Sequence, residues 1–173
     1  MKSYSSFDLL IGGLLMALAL VFPVVFHAIG LGGAFLPMFY PILAAGFLIV
    51  LPAAVVVGIL SPLVSAVLTG MPPFYPPVAF MMMFEGLFLA LVPGILYRRF
   101  KWNIWLSVLI TMLVERMVML IAIYIITKWM EFPTKMISIA ALVKGIPGTL
   151  IIIILMPPLL KKLDNILSTY KKI

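Results

Sequence analysis

Four long apolar runs mark the chain, at residues 9–28, 78–97, 104–127 and 137–160. Each is close to the roughly 20 apolar residues that one membrane-crossing helix needs. Between the first and second lies 35–70, a stretch of 36 residues without a charge. As one helix it would be about 54 Å long at 1.5 Å per residue, against an apolar bilayer core of about 30 Å. Pro52 falls near its middle and removes a helical hydrogen bond. The pattern therefore predicts two shorter helices, 36–51 and 52–69. The sum is an all-α membrane protein of six transmembrane helices, in one domain covering 1–173.

Charge orients the bundle. With the N- and C-termini both cytoplasmic, the inside carries Lys2, Arg98, Arg99, Lys101, Lys161, Lys162, Lys171 and Lys172, and the outside carries Lys128 and Lys135. Eight against two is the bias expected of cytoplasmic loops. A five-span chain with its N-terminus outside gives seven against three but needs the overlong helix. The net charge of +7 is thus explained by membrane orientation, and nucleic acid is not an expected partner. Three outer connections follow, 29–35, 70–77 and 128–136. The first two read GLGGAF and GMPPFYPP, suited either to covering a pocket or to tight turns. The tail KKLDNILSTYKK reads as an interfacial anchor.

At 65% hydrophobic and 10% charged, with a mean hydropathy of +1.31, the chain has no soluble domain to spare. The exceptions within the apolar runs point to function. Glu85, Glu115, Arg116 and Lys144 are ionisable residues at bilayer depth, each costing about 2.5–3.5 kcal/mol there on insertion scales. They belong in a packed interior or a polar cavity. Glu85 and Lys144 each lie seven residues, about 10 Å, below the outer end of an inward-running helix. Glu115 and Arg116 are adjacent and point about 100° apart, so at least one is expected to meet another helix. One outcome is an ion pair of Glu85 with Lys144, with Arg116 on Glu115. The other is a pocket in which these groups hold a polar solute entering from outside. Gly145, Pro147 and Gly148 predict an open or kinked helix beside Lys144, and Gly86 predicts close approach of a neighbouring helix. Aromatic residues crowd the same end, with Tyr40 and Tyr75 as candidate ligand contacts and His27 as a further donor. Met81, Met82 and Met83 read as lipid-facing or core filling.

The chain has no cysteine and one histidine, so neither a metal site nor a cofactor is expected. No GxxxxGK[ST], HExxH or GxSxG is present, and the chain is not expected to be an enzyme. A solute-binding protein without an engine suggests a subunit of something larger. Gly13 and Ala17 form a small-xxx-small step on the first helix that lets another helix pack closely; Gly58 and Ser65, with Pro62, offer a similar face on the third. No internal repeat supports an inverted-repeat carrier.

The segments GGLLMALAL (12–20), FLPMFYPILAAGF (35–47), GILSPLVSAVLTGMPP (58–73) and FEGLFLALVPGILYRR (84–99) resemble the substrate-binding S component of energy-coupling factor (ECF) vitamin transporters. The resemblance implies a subunit in the plasma membrane of a prokaryote that takes a small water-soluble vitamin from outside. It implies partnership with a transmembrane coupling protein and two cytoplasmic ATPases. The family's docking motif, AxxxA, falls at Gly13–Ala17, with glycine in place of the first alanine. The pattern FLPM…P…AGF with TGMPP looks most like the pantothenate branch; pyridoxine or a thiamine precursor remain open. A stand-alone proton- or ion-coupled carrier using Glu85 and Glu115 is the competing class.

Overall fold

The computed structural model describes residues 5–75, 77–130 and 134–170. Lys2, Lys171, Lys172, residues 131–133 of the third outer connection and the side chain of Lys135 lie outside the described residues. The described chain is helical. In order it forms α1 (Ser6–Ala28), a one-turn α2 (Gly32–Phe35), α3 (Phe39–Leu48), α4 (Leu51–Thr69), α5 (Val78–Pro93), α6 (Ile104–Met130) and α7 (Thr134–Tyr170). A π-helical segment, Gly94–Arg99, carries α5 on to its end. Five helices are long and apolar enough to cross a membrane. The sixth expected span is the broken pair α2–α3.

Two backbone breaks set this pattern. Leu36 takes a left-handed conformation (φ 51°) ahead of Pro37 and separates α2 from α3. Ile49 is extended and ends α3. Pro52 then sits in the first turn of α4, where its missing N–H costs nothing. The break thus falls just before the proline that predicted it.

With ten residues, α3 is about 15 Å long, half the depth of a bilayer core. All of it except Tyr40 is buried, as expected of a helix that is apolar on every side. Phe39, Ile42, Leu43, Phe47 and Leu48 form the centre of the core, with Leu15 and Ala19 of α1, Leu89 and Ala90 of α5, and Ile152 and Met156 of α7 around them. Leu9, Leu14, Val21, Leu113, Ile121 and Ile154 point outward, a rind suited to acyl chains.

Glycines allow the tightest crossings. Gly58 on α4 and Gly86 on α5 meet backbone to backbone: a Cβ on either would run into the other's carbonyl oxygen. Gly86 therefore does what its position predicted, whereas Gly58 is used inside the molecule rather than as a docking face. Ser65 and Pro62 are likewise buried. At Gly46, a Cβ would come within 2.6 Å of the Ala90 carbonyl oxygen, which fixes α3 against α5.

The tail differs from its expected role. α7 continues without interruption to Tyr170, and Leu160, Leu163 and Leu167 pack on the core. Tyr97 at the end of α5 donates a hydrogen bond to Asp164 Oδ2 at 2.8 Å. The tail is a structural part of the bundle. Leu163 and Leu167 of its amphipathic repeat reach protein, while Ile166 and Tyr170 stay exposed. Nor does α7 open beside Lys144: Thr134–Tyr170 is one helix through Pro147, Pro157 and Pro158.

Candidate functional site

At the end of the bundle opposite Arg98 and Asp164 lies a cavity of about 420 Å³. That is within the range of small-molecule sites. Its walls come from the ends of α1 and α2–α3, from α5, α6 and α7, and from the connection after α4. Glu85, Glu115, Arg116 and Lys144 all line it, together with His27. The rest of the surface is mostly apolar, from residues such as Leu36, Met38, Met81, Met82, Met119 and Ile123. The recess is thus an apolar chamber with a few placed charges.

Helical spacing accounts for the walls. On α5, Val78, Met81, Met82 and Glu85 recur every three or four residues along one face; on α6, Arg116, Met119, Ile123 and Ile126 do the same. Met81 and Met82 therefore line the cavity, and Met82 also packs against the core, as the methionine run suggested. The periodicity relative to Glu85 was the available signal. By the same spacing Phe80 and Phe84 fall on the exposed side of α5, and among the aromatic residues of this end it is Phe39 that reaches the cavity. Tyr40 packs against the core, and Tyr75 is exposed on the connection after α4; neither lines the cavity.

The four charges divide into two sets. Arg116 folds back on its neighbour, with Nε 3.0 Å from Glu115 Oε2. Its length overcomes the 100° offset between adjacent helical positions, so both groups reach one place. The approach is a charge contact and not a hydrogen bond: neither that nitrogen nor either Glu115 oxygen has a partner in bonding geometry. The guanidinium also donates from Nη2 to Thr149 Oγ1 at 2.9 Å and from Nη1 to Met119 Sδ at 3.4 Å. Thr149, in turn, donates to the Gly145 carbonyl at 3.0 Å. Arg116 therefore ties α6 to α7. Gly145 leaves the room for it, since a Cβ there would lie 3.1 Å from Nη1. Gly148 lets α2 lie on α7: a Cβ would come within 2.7 Å of the Ala34 carbonyl oxygen. The glycines of α7 are contact points rather than openings. Thr149, four residues after Gly145, is the partner that sequence reading missed; a lone hydroxyl on the glycine face of an apolar helix was its signal.

Glu85 and Lys144 form the second set. Of these four charges, Arg116 and Glu115 form the ion pair, and Glu85 and Lys144 do not. Glu85 is 5% exposed, and no hydrogen bond or ion pair engages its carboxylate among the described residues. It lies near enough to Glu115 and Arg116 to feel both charges. Lys144 is exposed on the α7 wall.

The first two outer connections roof the chamber, through Gly32 and Gly33 on one side and Met71, Pro72 and Pro73 on the other. Ser65 donates to the Met71 carbonyl at 2.7 Å and Thr69 accepts from the Met71 N–H at 3.2 Å, which pins the second connection. His27 donates from Nδ1 to the Pro23 carbonyl at 2.8 Å, and Gly32 leaves room for its ring.

Gly13 and Ala17 lie on the outer face of α1, both exposed, with nothing within 4 Å of a Cβ at Gly13. Among the described residues no group of three or more histidine, cysteine, aspartate and glutamate side chains gathers in a way that could hold a metal ion.

The fold is that of a multi-pass α-helical membrane protein with a solute-sized chamber at one end. The model of the ECF transporter, substrate-specific component family matches residues 7–160, and the chain belongs to that family. Comparison with curated proteins and with solved structures gives no match.

Proposed function

We propose that this substrate-specific component binds a small water-soluble vitamin in the chamber beneath the Gly32 and Pro72 connections, from the outer side of a prokaryotic plasma membrane. A transmembrane coupling protein and two cytoplasmic ATPases would drive import. One observation carries the reading: four costly ionisable residues from three helices converge on one chamber of about 420 Å³, which simple packing does not require. The cationic end of the bundle, with Arg98 and Lys101, is at the opposite pole, so the positive-inside bias turns the chamber outward.

Pantothenate is the first candidate. Lys144 is the cation available to its carboxylate, because Arg116 is engaged by Glu115 and Thr149. Pyridoxine and a thiamine precursor are the others. The test is vitamin uptake by cells expressing this chain with and without the coupling and ATPase subunits. Uptake only with the partners is expected. Uptake by the chain alone in liposomes under a proton gradient would instead establish the stand-alone carrier.

A further inference from the structure

Among the four intramembrane charges, Glu85 has no structural explanation. Arg116 and Glu115 balance one another's charge, and Arg116, through Thr149, makes the joint between α6 and α7. Lys144 is exposed, and its chain can carry the ammonium toward water. Glu85 is 5% exposed in the middle of a spanning helix, yet lacks a donor. Its carboxylate borders the mostly apolar chamber, where an acceptor without a partner is costly. The neighbouring Glu115 adds like charge. Its surroundings offer no relief: Met81 and Met82 precede it on the cavity wall, and the Gly58–Gly86 contact closes the α4 side. The open direction is the chamber itself.

We propose that Glu85 is the deep anchor of the binding site and accepts hydrogen bonds from a donor-bearing head of the ligand, an amino group or hydroxyls. The assignment rests on the solute-binding reading above and goes beyond it by giving the ligand a chemistry and a direction. Donors point to Glu85, an apolar body lies against Met81, Met82, Met119 and Ile123, and the acceptor or anionic end faces Lys144. Arg116 and Glu115 are scaffold and need not touch the ligand. The unpaired carboxylate is then a group held ready for a partner, with stability traded for affinity as at other functional sites.

The experiment compares the gently purified wild-type chain with Glu85→Gln and Arg116→Lys by native mass spectrometry, which reads the co-purified solute by exact mass, and by thermal melting after the solute is dialysed away. Glu85→Gln is expected to lose at least tenfold of the solute while melting, when empty, no lower than the empty wild type, because it removes a charge that had no partner. Arg116→Lys is expected to melt lower. The solute is expected to carry N–H or O–H donors, and blocking them by methylation to abolish binding. Full occupancy in Glu85→Gln, or a solute without such donors, overturns the assignment; so does an empty Glu85→Gln chain that melts well below the empty wild type, which marks Glu85 as structural. A wild-type chain that carries no solute brings down the binding reading itself, and the assignment with it.

Discussion

Arg116 serves three neighbours at once: the Glu115 carboxylate, the Thr149 hydroxyl and the Met119 sulfur. Removing it leaves Glu115, which is 0% exposed, as a charge without compensation. Breaking a buried pair in this way costs about 3–5 kcal/mol. Arg116→Ala is therefore expected to lower the melting temperature sharply, read by a thermal melt in detergent. Lys144→Ala is expected to behave differently. Lys144 holds no ion pair among the described residues, so insertion and melting should be unchanged. A hydrogen bond to a charged group contributes about 1.5–3 kcal/mol, and about 1.4 kcal/mol is tenfold in affinity. Solute affinity should accordingly fall tenfold or more in an equilibrium binding measurement. Unchanged affinity would remove Lys144 from the site.

At the scale of elements, the α4–α5 crossing depends on the absence of side chains at Gly58 and Gly86. A Cβ at Gly86 meets backbone, which cannot swing aside, and overpacking of this kind costs about 1–3 kcal/mol. Gly86→Ala should lower the melting temperature, whereas Gly13→Ala, on an open face, should not. Tyr97→Phe leaves Asp164 without its donor and should cost roughly 1 kcal/mol, seen as earlier fraying of the α7 end by hydrogen exchange. These contacts also show how far the sequence could be read. Apolar run lengths located the spans, because bilayer thickness sets helix length. Pro52 located the break before α4, because a proline inside a helix costs a hydrogen bond. The depth of Glu85, Glu115, Arg116 and Lys144 brought them to one place. Side-chain reach was not legible: the Arg116 guanidinium folds back to its neighbour and on to α7, so two residues that point apart share a site. Nor could the sequence separate a glycine that opens a helix from one that lets another helix lie against it, as Gly145 and Gly148 do. Tyr40 shows the same limit. It sits on the almost fully buried α3, where apolar residues on all sides leave no periodicity to assign its direction.

For the whole molecule, the chamber and the outer face of α1 are separate. Gly13 and Ala17 lie on a face with Leu10 and Leu14 exposed beside them, and neither lines the chamber. If that face meets the coupling protein, Gly13→Leu should abolish uptake by the assembled transporter while leaving solute binding by the isolated chain intact. Uptake and binding falling together would place Gly13 within the bundle's own stability instead. The division matches the needs of a subunit that captures at one end and is driven from elsewhere, since the chain shows no nucleotide-binding loop.

Whether the chamber between α5, α6 and α7 holds a guest decides the rest. The most direct measurement is a crystal structure of the chain purified from its native membrane without added ligand. Density for one small molecule is expected beneath the Gly32 and Pro72 connections, between Glu85 and Lys144. A closed interior, with Glu85 and Lys144 in direct contact and no space between them, would contradict it.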